Sequence, residues 1–265
     1  MTKKILTIAG SDITGGAGQA ADLKVFSAHH CYGMSALSCI VTFSKAHQYM
    51  PEIYPVHASI LKDQLDTITD LNRLDAIKTG MLPEEKQIHL VARWLKSQAE
   101  NNVPIIIDPV MVCKNNGEEN LEKLKESIIK ELLPLATVTT PNLVEAEALA
   151  DMKIQTKEDM AAAAEKIHEL GPKYVVIKGG ARLEGDVAVD LLFDGKEFHY
   201  FEREKITEGF NHGAGCSFAA AITSNLALEK DITDAVRDAK EFVYHAIDSG
   251  LELSPRSSAV FVNYK

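Results

Sequence analysis

Short apolar runs alternate with helical periodicity along almost the whole chain. Residues 4–9 (KILTIA), 36–42 (ALSCIVT), 75–78 (DAIK), 104–107 (PIII), 137–139 (TVT) and 173–177 (KYVVI) read as strands buried on both faces. Between them, residues 17–28, 57–70, 84–99, 118–131, 142–150 and 156–170 read as helices. This rhythm predicts an α/β fold with a central, mostly parallel sheet and helices on both faces. It breaks at 186–202, where Asp194-Gly195 stands between two alternating runs, "VAVDLLF" and "KEFHYF". An Asp-Gly pair in that setting signals a hairpin, so an antiparallel edge is expected there. Two more helices follow, near 214–228 and 232–249. Ile232, Val236, Val243 and Ile247 fall at helical spacing in the second, which marks it as a packing helix. With no repeat, low-complexity tract or Gly/Pro/Ser-rich linker, residues 1–265 are expected to form a single domain.

Composition narrows the class. Hydrophobic residues make up 46% of the 265 and charged residues 25%, enough to bury a large core. A net charge of -10 argues against a nucleic-acid partner, because phosphate backbones are held by an excess of Lys and Arg. A nucleotide, which needs only a local anion site, stays open. The N-terminal "MTKKILTIAGSD" reads as a strand and not a signal peptide, and no run approaches the ~18 apolar residues of a membrane helix. Cys31, Cys39, Cys113 and Cys216 lack the paired spacing of a zinc site or disulfide framework, so a reducing, cytoplasmic location is expected.

In sheets of this kind ligands sit beyond the carboxyl ends of the strands. The Gly-rich or polar connections at 9–18, 78–83, 108–117, 139–147, 178–186 and 211–216 are therefore the candidate site. Gly16-Ala17-Gly18 begins a loose dinucleotide fingerprint, but it lies six residues beyond Gly10 and no acid closes the second strand. The Gly-Lys-Ser/Thr of a Walker A loop is also absent. Asn142 and Glu145, three apart at a helix start, suit either a hydrated Mg²⁺ or a capping box, and the two roles are compatible. Lys178-Gly179-Gly180 ends a strand and lets a base or phosphate approach the backbone. Asp108 either touches metal or phosphate or braces its loop. Asp22, inside the first helix, is either solvated or bonded to a ligand.

Cys216 carries the sharpest signal. It follows Gly213-Ala214-Gly215 at a helix start, where backbone N–H groups converge on one spot and the positive helix end is expected to lower the thiol pKa. Two chemistries fit: a cysteine nucleophile of hydrolase type, or a residue at the acceptor hydroxyl of a kinase. His212 is close in sequence but on the wrong side of a tight turn to be assumed its base. Cys31 and Cys39 read as packing residues, whereas Cys113 lies in a polar loop, "MVCKNNGEE", suited to a lid.

As a set, "TIAGSDITGGAGQAADLK", "IKTGML", "IDPVMVCK", "TPNLVEAEAL", "VVIKGG" and "HGAGCSFAAAI" resemble the ribokinase-like vitamin kinases. Within them, the sequence is most similar to the hydroxymethylpyrimidine kinases and the cysteine-bearing pyridoxal kinases. The resemblance implies ATP and Mg²⁺ as the donor system, a hydroxymethyl group on a pyridine or pyrimidine ring as acceptor, and a homodimer. It assigns Gly213, Ala214, Gly215 and Cys216 to the anion hole around the transferring phosphoryl. Asn142, Glu145 and Asp108 fall to metal and phosphates, Lys178, Gly179 and Asn142 to the nucleotide, and Asp22, Gly80 and Met81 to the acceptor ring. In such pyridoxal kinases the counterpart of Cys216 adds to the aldehyde as a hemithioacetal, assisted by a lid cysteine matching Cys113. Both cysteines, with Asn211 and Ala214 where pyrimidine-specific enzymes often have threonines, favour pyridoxal and pyridoxine as acceptors, with hydroxymethylpyrimidine second. The alternative is a hydroxymethylpyrimidine/phosphomethylpyrimidine kinase of thiamine biosynthesis. Gln19-Ala20 and the segment 42–50 depart from the group's usual pattern and bear on ring specificity.

Overall fold

The first strand, β1 (Lys4–Asp12), builds two layers at once. Its Leu6 and Ile8 are fully buried in one core and Ile5 in another, because successive side chains of a strand point to opposite faces. The same split recurs at β5 (Ile105–Ile107), where Ile105 and Ile107 join the first core and Ile106 the second. A strand apolar on both faces is the mark of a sheet sandwiched by helices.

A computed structural model describes residues 1–71, 73–111, 117–206, 209–254 and 257–262, without the side chains of 117–119. After β1 come α1 (Gly18–Ala28), β2 (Tyr32–Thr42), β3 (Glu52–Pro55), α2 (Ala58–Thr69), β4 (Ala76–Thr79) and α3 (Glu85–Ala99). Beyond β5 lie α4 (Gly117–Ser127), β6 (Val138–Thr139), α5 (Leu143–Ala150) and α6 (Lys157–Glu169). The chain closes with β7 (Tyr174–Gly180), β8 (Val187–Phe193), β9 (Phe198–Glu204), α7 (Ala214–Ala227), α8 (Ile232–Asp248), β10 (Leu251–Ser254) and β11 (Ser257–Ala259).

Among the described residues the main sheet runs β3-β2-β1-β4-β5-β6-β7-β8-β9. Pairing is parallel from β2 through β7, and antiparallel at β2–β3, β7–β8 and β8–β9. The hairpin expected at 186–202 is β8–β9, with Asp194 accepting hydrogen bonds from the Lys196 and Glu197 N–H groups in its turn. The opposite edge is antiparallel too, which the sequence reading did not predict. β3 has only four residues and lies beside Pro51 and ends on Pro55, so it lacks a strand-length pattern. The small β10–β11 hairpin was likewise not predicted. The helix expected over 118–131 ends at Ser127 and passes into a wider π turn at Ile128–Leu132.

One face is covered by α2, α3, α5 and α6 through Leu61, Leu65, Ile88, Leu95, Leu149 and Met160. The other is covered by α1, α7 and α8 through Val25, Phe26, Phe218, Ile222, Val236 and Val243. α7 is the most enclosed helix of this layer: Ser217 to Asn225 are all buried, and its alanines let it lie close under the sheet. That burial fixes where its N-terminus, bearing Cys216, meets the strand ends.

Candidate active site

The chain leaves β1 first for β2 on one side and later enters β4 on the other. This reversal of direction opens a crevice beyond the strand ends. A cavity of about 340 Å³ occupies it. Its walls come from the ends of β1 (Ala9, Gly10, Asp12), β2 (Val41) and β4 (Lys78), from Phe43, Ile53, Gly80 and Met81, and from Ala17 and Gly18 at the start of α1. His212 and Cys216 close the side toward α7. Such a volume, mostly apolar with a few polar groups, suits one small aromatic ring.

The turn into α7 is held by contact between two glycine loops. Gly213 has φ +86°, and a Cβ added there would lie 1.8 Å from the Gly16 carbonyl oxygen. Ala214 N–H bonds back to Asn211 O, and Ser217 N–H opens the helical ladder on Gly213 O. The N–H groups between them belong to a first helical turn, whose donors the ladder leaves for a ligand. Gly213→Ala combines a disfavoured φ with a backbone clash, and displacing this turn is expected to lower kcat/KM about 100-fold. Steady-state kinetics checks the loss, and circular dichroism checks that the fold survives.

Beneath the turn runs a ladder of alternating charge. Asp22 is fully buried, accepts from Thr7 Oγ1 at 2.6 Å, and pairs with Lys78 Nζ at 3.1 Å. Lys78 stands 3.9 Å from Asp108, whose other oxygen receives Lys178 Nζ at 2.6 Å and Thr140 Oγ1 at 3.0 Å. Burial acts to lower Lys78, but the carboxylates of Asp22 and Asp108 override it and hold the ammonium above the usual lysine value. Burial pushes the Asp22 carboxyl up while Lys78 pulls it down. We read Lys78 as charged, since two carboxylates flank one ammonium. Lys178 is held up in the same way, by Asp108 and Glu145 against burial.

Asn142 and Glu145 form a capping box at the start of α5: Asn142 Oδ1 accepts from Glu145 N–H at 3.0 Å, and Glu145 Oε2 from Asn142 N–H at 2.8 Å. Burial pushes Glu145 up to about 7, with Lys178 opposing and Asp108 adding to the rise. The crowding of Glu145 and Asp108 around Lys178 leaves excess negative charge in a buried place. Among the described residues, no group of three or more His, Cys, Asp or Glu gathers into a ready-made cage. Two carboxylates and an amide oxygen beside the Lys178 ammonium do fit Mg²⁺, which keeps much of its water shell and shares its ligands with phosphates.

Asp22, expected on the ring, is fully buried and is not among the residues that line the cavity, whereas its partner Lys78 is. One expectation is corrected. The Cys216 thiol is not lowered. Although half-exposed at the cavity wall, it has enough protein around it that burial pushes it up to about 11, while Lys78 and the Gly18 N–H pull the other way. Cys113 lies outside the described residues. Cys31 and Cys39 are buried, Cys39 in contact with Met81 at 3.6 Å between sulfurs.

Asp12 and Lys78 fall in connections named as candidate site but were given no role, and the wall from β2 and β3 was not anticipated. Lys78 had a signal, since a lysine inside a strand otherwise buried on both faces requires a counter-charge. Asp12 pairs with His212 Nε2 at 2.6 Å. Burial raises Asp12, but hydrogen bonds from His212 and Thr14 outweigh it and hold the carboxyl below its usual range.

The geometry places a ring-sized pocket against Cys216 and His212, which flank the glycine turn into α7. Residues 12–260 match the phosphomethylpyrimidine kinase family. A pyridoxine kinase of Bacillus subtilis (strain 168) is 45% identical over 252 residues, covering 95% of this chain and 92% of that protein. A hydroxymethylpyrimidine/phosphomethylpyrimidine kinase of the same organism is 39% identical over 249 residues, 94% of this chain and 90% of its own. The structure of a pyridoxal kinase from Staphylococcus aureus in complex with AMP-PCP and pyridoxal superposes with a TM-score of 0.91 at 40% identity, covering 98% of this chain and 93% of that one. The ribokinase-like architecture, the glycine turn into α7 and the extent of these matches lead to one assignment: the chain belongs to the phosphomethylpyrimidine kinase family.

Proposed function

We propose that this protein is an ATP-dependent kinase that phosphorylates the hydroxymethyl group of pyridoxal and pyridoxine. The observation that carries this reading is the ring-sized cavity opening onto Cys216 and the Gly213–Gly215 turn, beside the Lys178–Asp108–Glu145 cluster. The ring lies in the cavity between Met81 and the β2–β3 wall, and its hydroxymethyl oxygen faces the turn. ATP lies beyond the turn along Lys178 and Gly179, where the ammonium and the N–H groups of the turn take up charge on the transferring phosphoryl. Such a transfer needs positioning and charge neutralisation more than early removal of the alcohol proton. No carboxylate base is then needed at the position of Cys216. Asp108, Asn142 and Glu145 would hold Mg²⁺, which when bound neutralises charge on the phosphates.

Burial keeps Cys216 a neutral thiol at rest, so its S–H proton must leave as the sulfur attacks. Sulfur bonds to the pyridoxal aldehyde carbon, the C=O π bond breaks, and the thiol proton ends on the new hydroxyl. Pyridoxine and hydroxymethylpyrimidine lack the aldehyde, so Cys216→Ala is expected to lower kcat/KM for pyridoxal at least tenfold more than for either of them. Equal losses on all three would remove the covalent role and leave Cys216 as part of the anion turn.

The relative of 39% identity that acts on hydroxymethylpyrimidine favours that compound as a second acceptor. Turnover of all three acceptors with ATP and Mg²⁺, compared as kcat/KM, tests the assignment; a pyrimidine-only profile would move the protein to thiamine biosynthesis. A homodimer in the cytoplasm fits this function, and no helix among the described residues is long and apolar enough to cross a membrane. Sedimentation velocity checks the dimer.

A further inference from the structure

A further buried ion pair lies outside the cavity wall. Lys240, on α8, donates to Asp190 Oδ2 on β8 at 2.7 Å and to the Ala188 carbonyl at 3.2 Å, and both side chains are almost fully enclosed. The other oxygen of Asp190 accepts from the N–H of Gly180 at 3.3 Å. That N–H belongs to a bulge. The β7–β8 register slips between Lys178 and Gly180, so Lys178 faces Asp190 while Gly180 faces Val189. Gly179 fits the slip because any side chain would meet the Val189 carbonyl, an added Cβ coming within 2.2 Å of its oxygen. The bulge begins at Lys178, whose ammonium reaches Asp108 and lies next to Gly215. A buried ion pair is poor material for stability alone, since an apolar pair of the same shape does as well. What it supplies here is a fixed acceptor for a strand N–H in a slipped register. It also supplies a tie to α8, which holds α7 through Asn225 Nδ2 donating to Ala235 O at 3.1 Å.

We infer that Asp190 and Lys240 are positioning residues for the nucleotide half of the site: they lock the Gly179 bulge to α8 and so hold Lys178 in line with the turn at the start of α7. This inference rests on the kinase reading above. It acts through Lys178 and the Gly179 backbone and not through the acceptor cavity, so its effect falls on nucleotide binding and kcat and spares KM for pyridoxal.

The test measures ADP affinity by calorimetry, together with KM for ATP and for pyridoxal, on wild type, Lys240→Met, Lys240→Arg and Asp190→Asn. Lys240→Met is expected to weaken ADP binding and raise KM for ATP about tenfold, with KM for pyridoxal within twofold of wild type. Lys240→Arg, which keeps the charge, is expected to recover most of the loss. Should Lys240→Met fail to fold, Asp190→Asn carries the test, because it keeps an oxygen for Gly180 and removes the charge and the oxygen that receive Lys240. Its ADP affinity is expected to fall severalfold. Folded variants with wild-type ADP affinity, or with ATP and pyridoxal constants weakened alike, overturn the inference while leaving the kinase reading intact. A wild-type protein that neither binds ADP nor turns over ATP overturns both.

Discussion

Lys178→Met is expected to lower kcat/KM about 10³-fold, with most of the loss in kcat. The Lys178 ammonium stands between Asp108 at 2.6 Å and the backbone of Gly215, and its side chain is only 13% exposed. It therefore acts in a place with little water, where a fixed donor aimed at developing charge is worth roughly 3–4 kcal/mol. During transfer, charge spreads over the equatorial oxygens of the phosphoryl, and a cation placed there stabilises the transition state more than bound ATP. That difference is why kcat falls further than KM rises. Lys178→Arg is not expected to restore full activity, since a planar guanidinium cannot replace a point charge wedged against a helix start. Single-turnover kinetics with saturating ATP separates the chemical step from binding. A chemical step within tenfold of wild type in a folded Lys178→Met protein would remove Lys178 from the phosphoryl site.

The alternation of apolar runs and helical stretches made the layered sheet legible, because a parallel sheet must be apolar on both faces and its strands therefore stand out. Ile105 to Ile107 is the plainest case. The glycine turn before Cys216 was legible for a related reason: two glycines ahead of a buried, alanine-rich helix have few uses other than a close backbone approach. β3 was not legible, because its four residues depend on β2 for pairing and carry no period of their own. The site's charges were legible by position and not by pairing. Asp22, Asp108 and Lys178 were each visible as single residues, but the sequence does not say that Lys78 stands between the first two. Missing that partner left Asp22 to be read against ligand or solvent alone. It also led to Cys216 being read through the helix end alone, when burial around the thiol, with Asp22 and Asp108 adding to it, outweighs Lys78 and the Gly18 N–H.

Lys78→Met is expected to be the most damaging substitution for stability. It removes the ammonium and leaves Asp22 sealed beneath the sheet, with Thr7 as its remaining hydrogen-bond donor of those described and Asp22 Oδ1 already without one. Removing one member of a buried pair typically costs about 3–5 kcal/mol. In a domain of this size that corresponds to a fall in Tm of roughly 6–20 °C. The loss has a signed pH dependence. Burial already pushes the Asp22 carboxyl up, and without Lys78 that effect goes unopposed except by Thr7. A carboxyl whose folded pKa exceeds its unfolded value stabilises the fold at low pH and ceases to do so as pH rises through the folded value. The gap in Tm between Lys78→Met and wild type is therefore expected to narrow as pH falls from 8 toward 5. The double variant Lys78→Met/Asp22→Asn, which has no carboxylate to strand, is expected to recover much of the stability at pH 8 and to lose the pH dependence. Its activity is expected to stay low, because Lys78 also forms part of the cavity wall and braces Asp108 beside Lys178. Thermal denaturation across pH and steady-state kinetics on the two variants separate these roles. Full activity in the stabilised double variant would confine Lys78 to the fold, whereas low activity with recovered Tm assigns it to both.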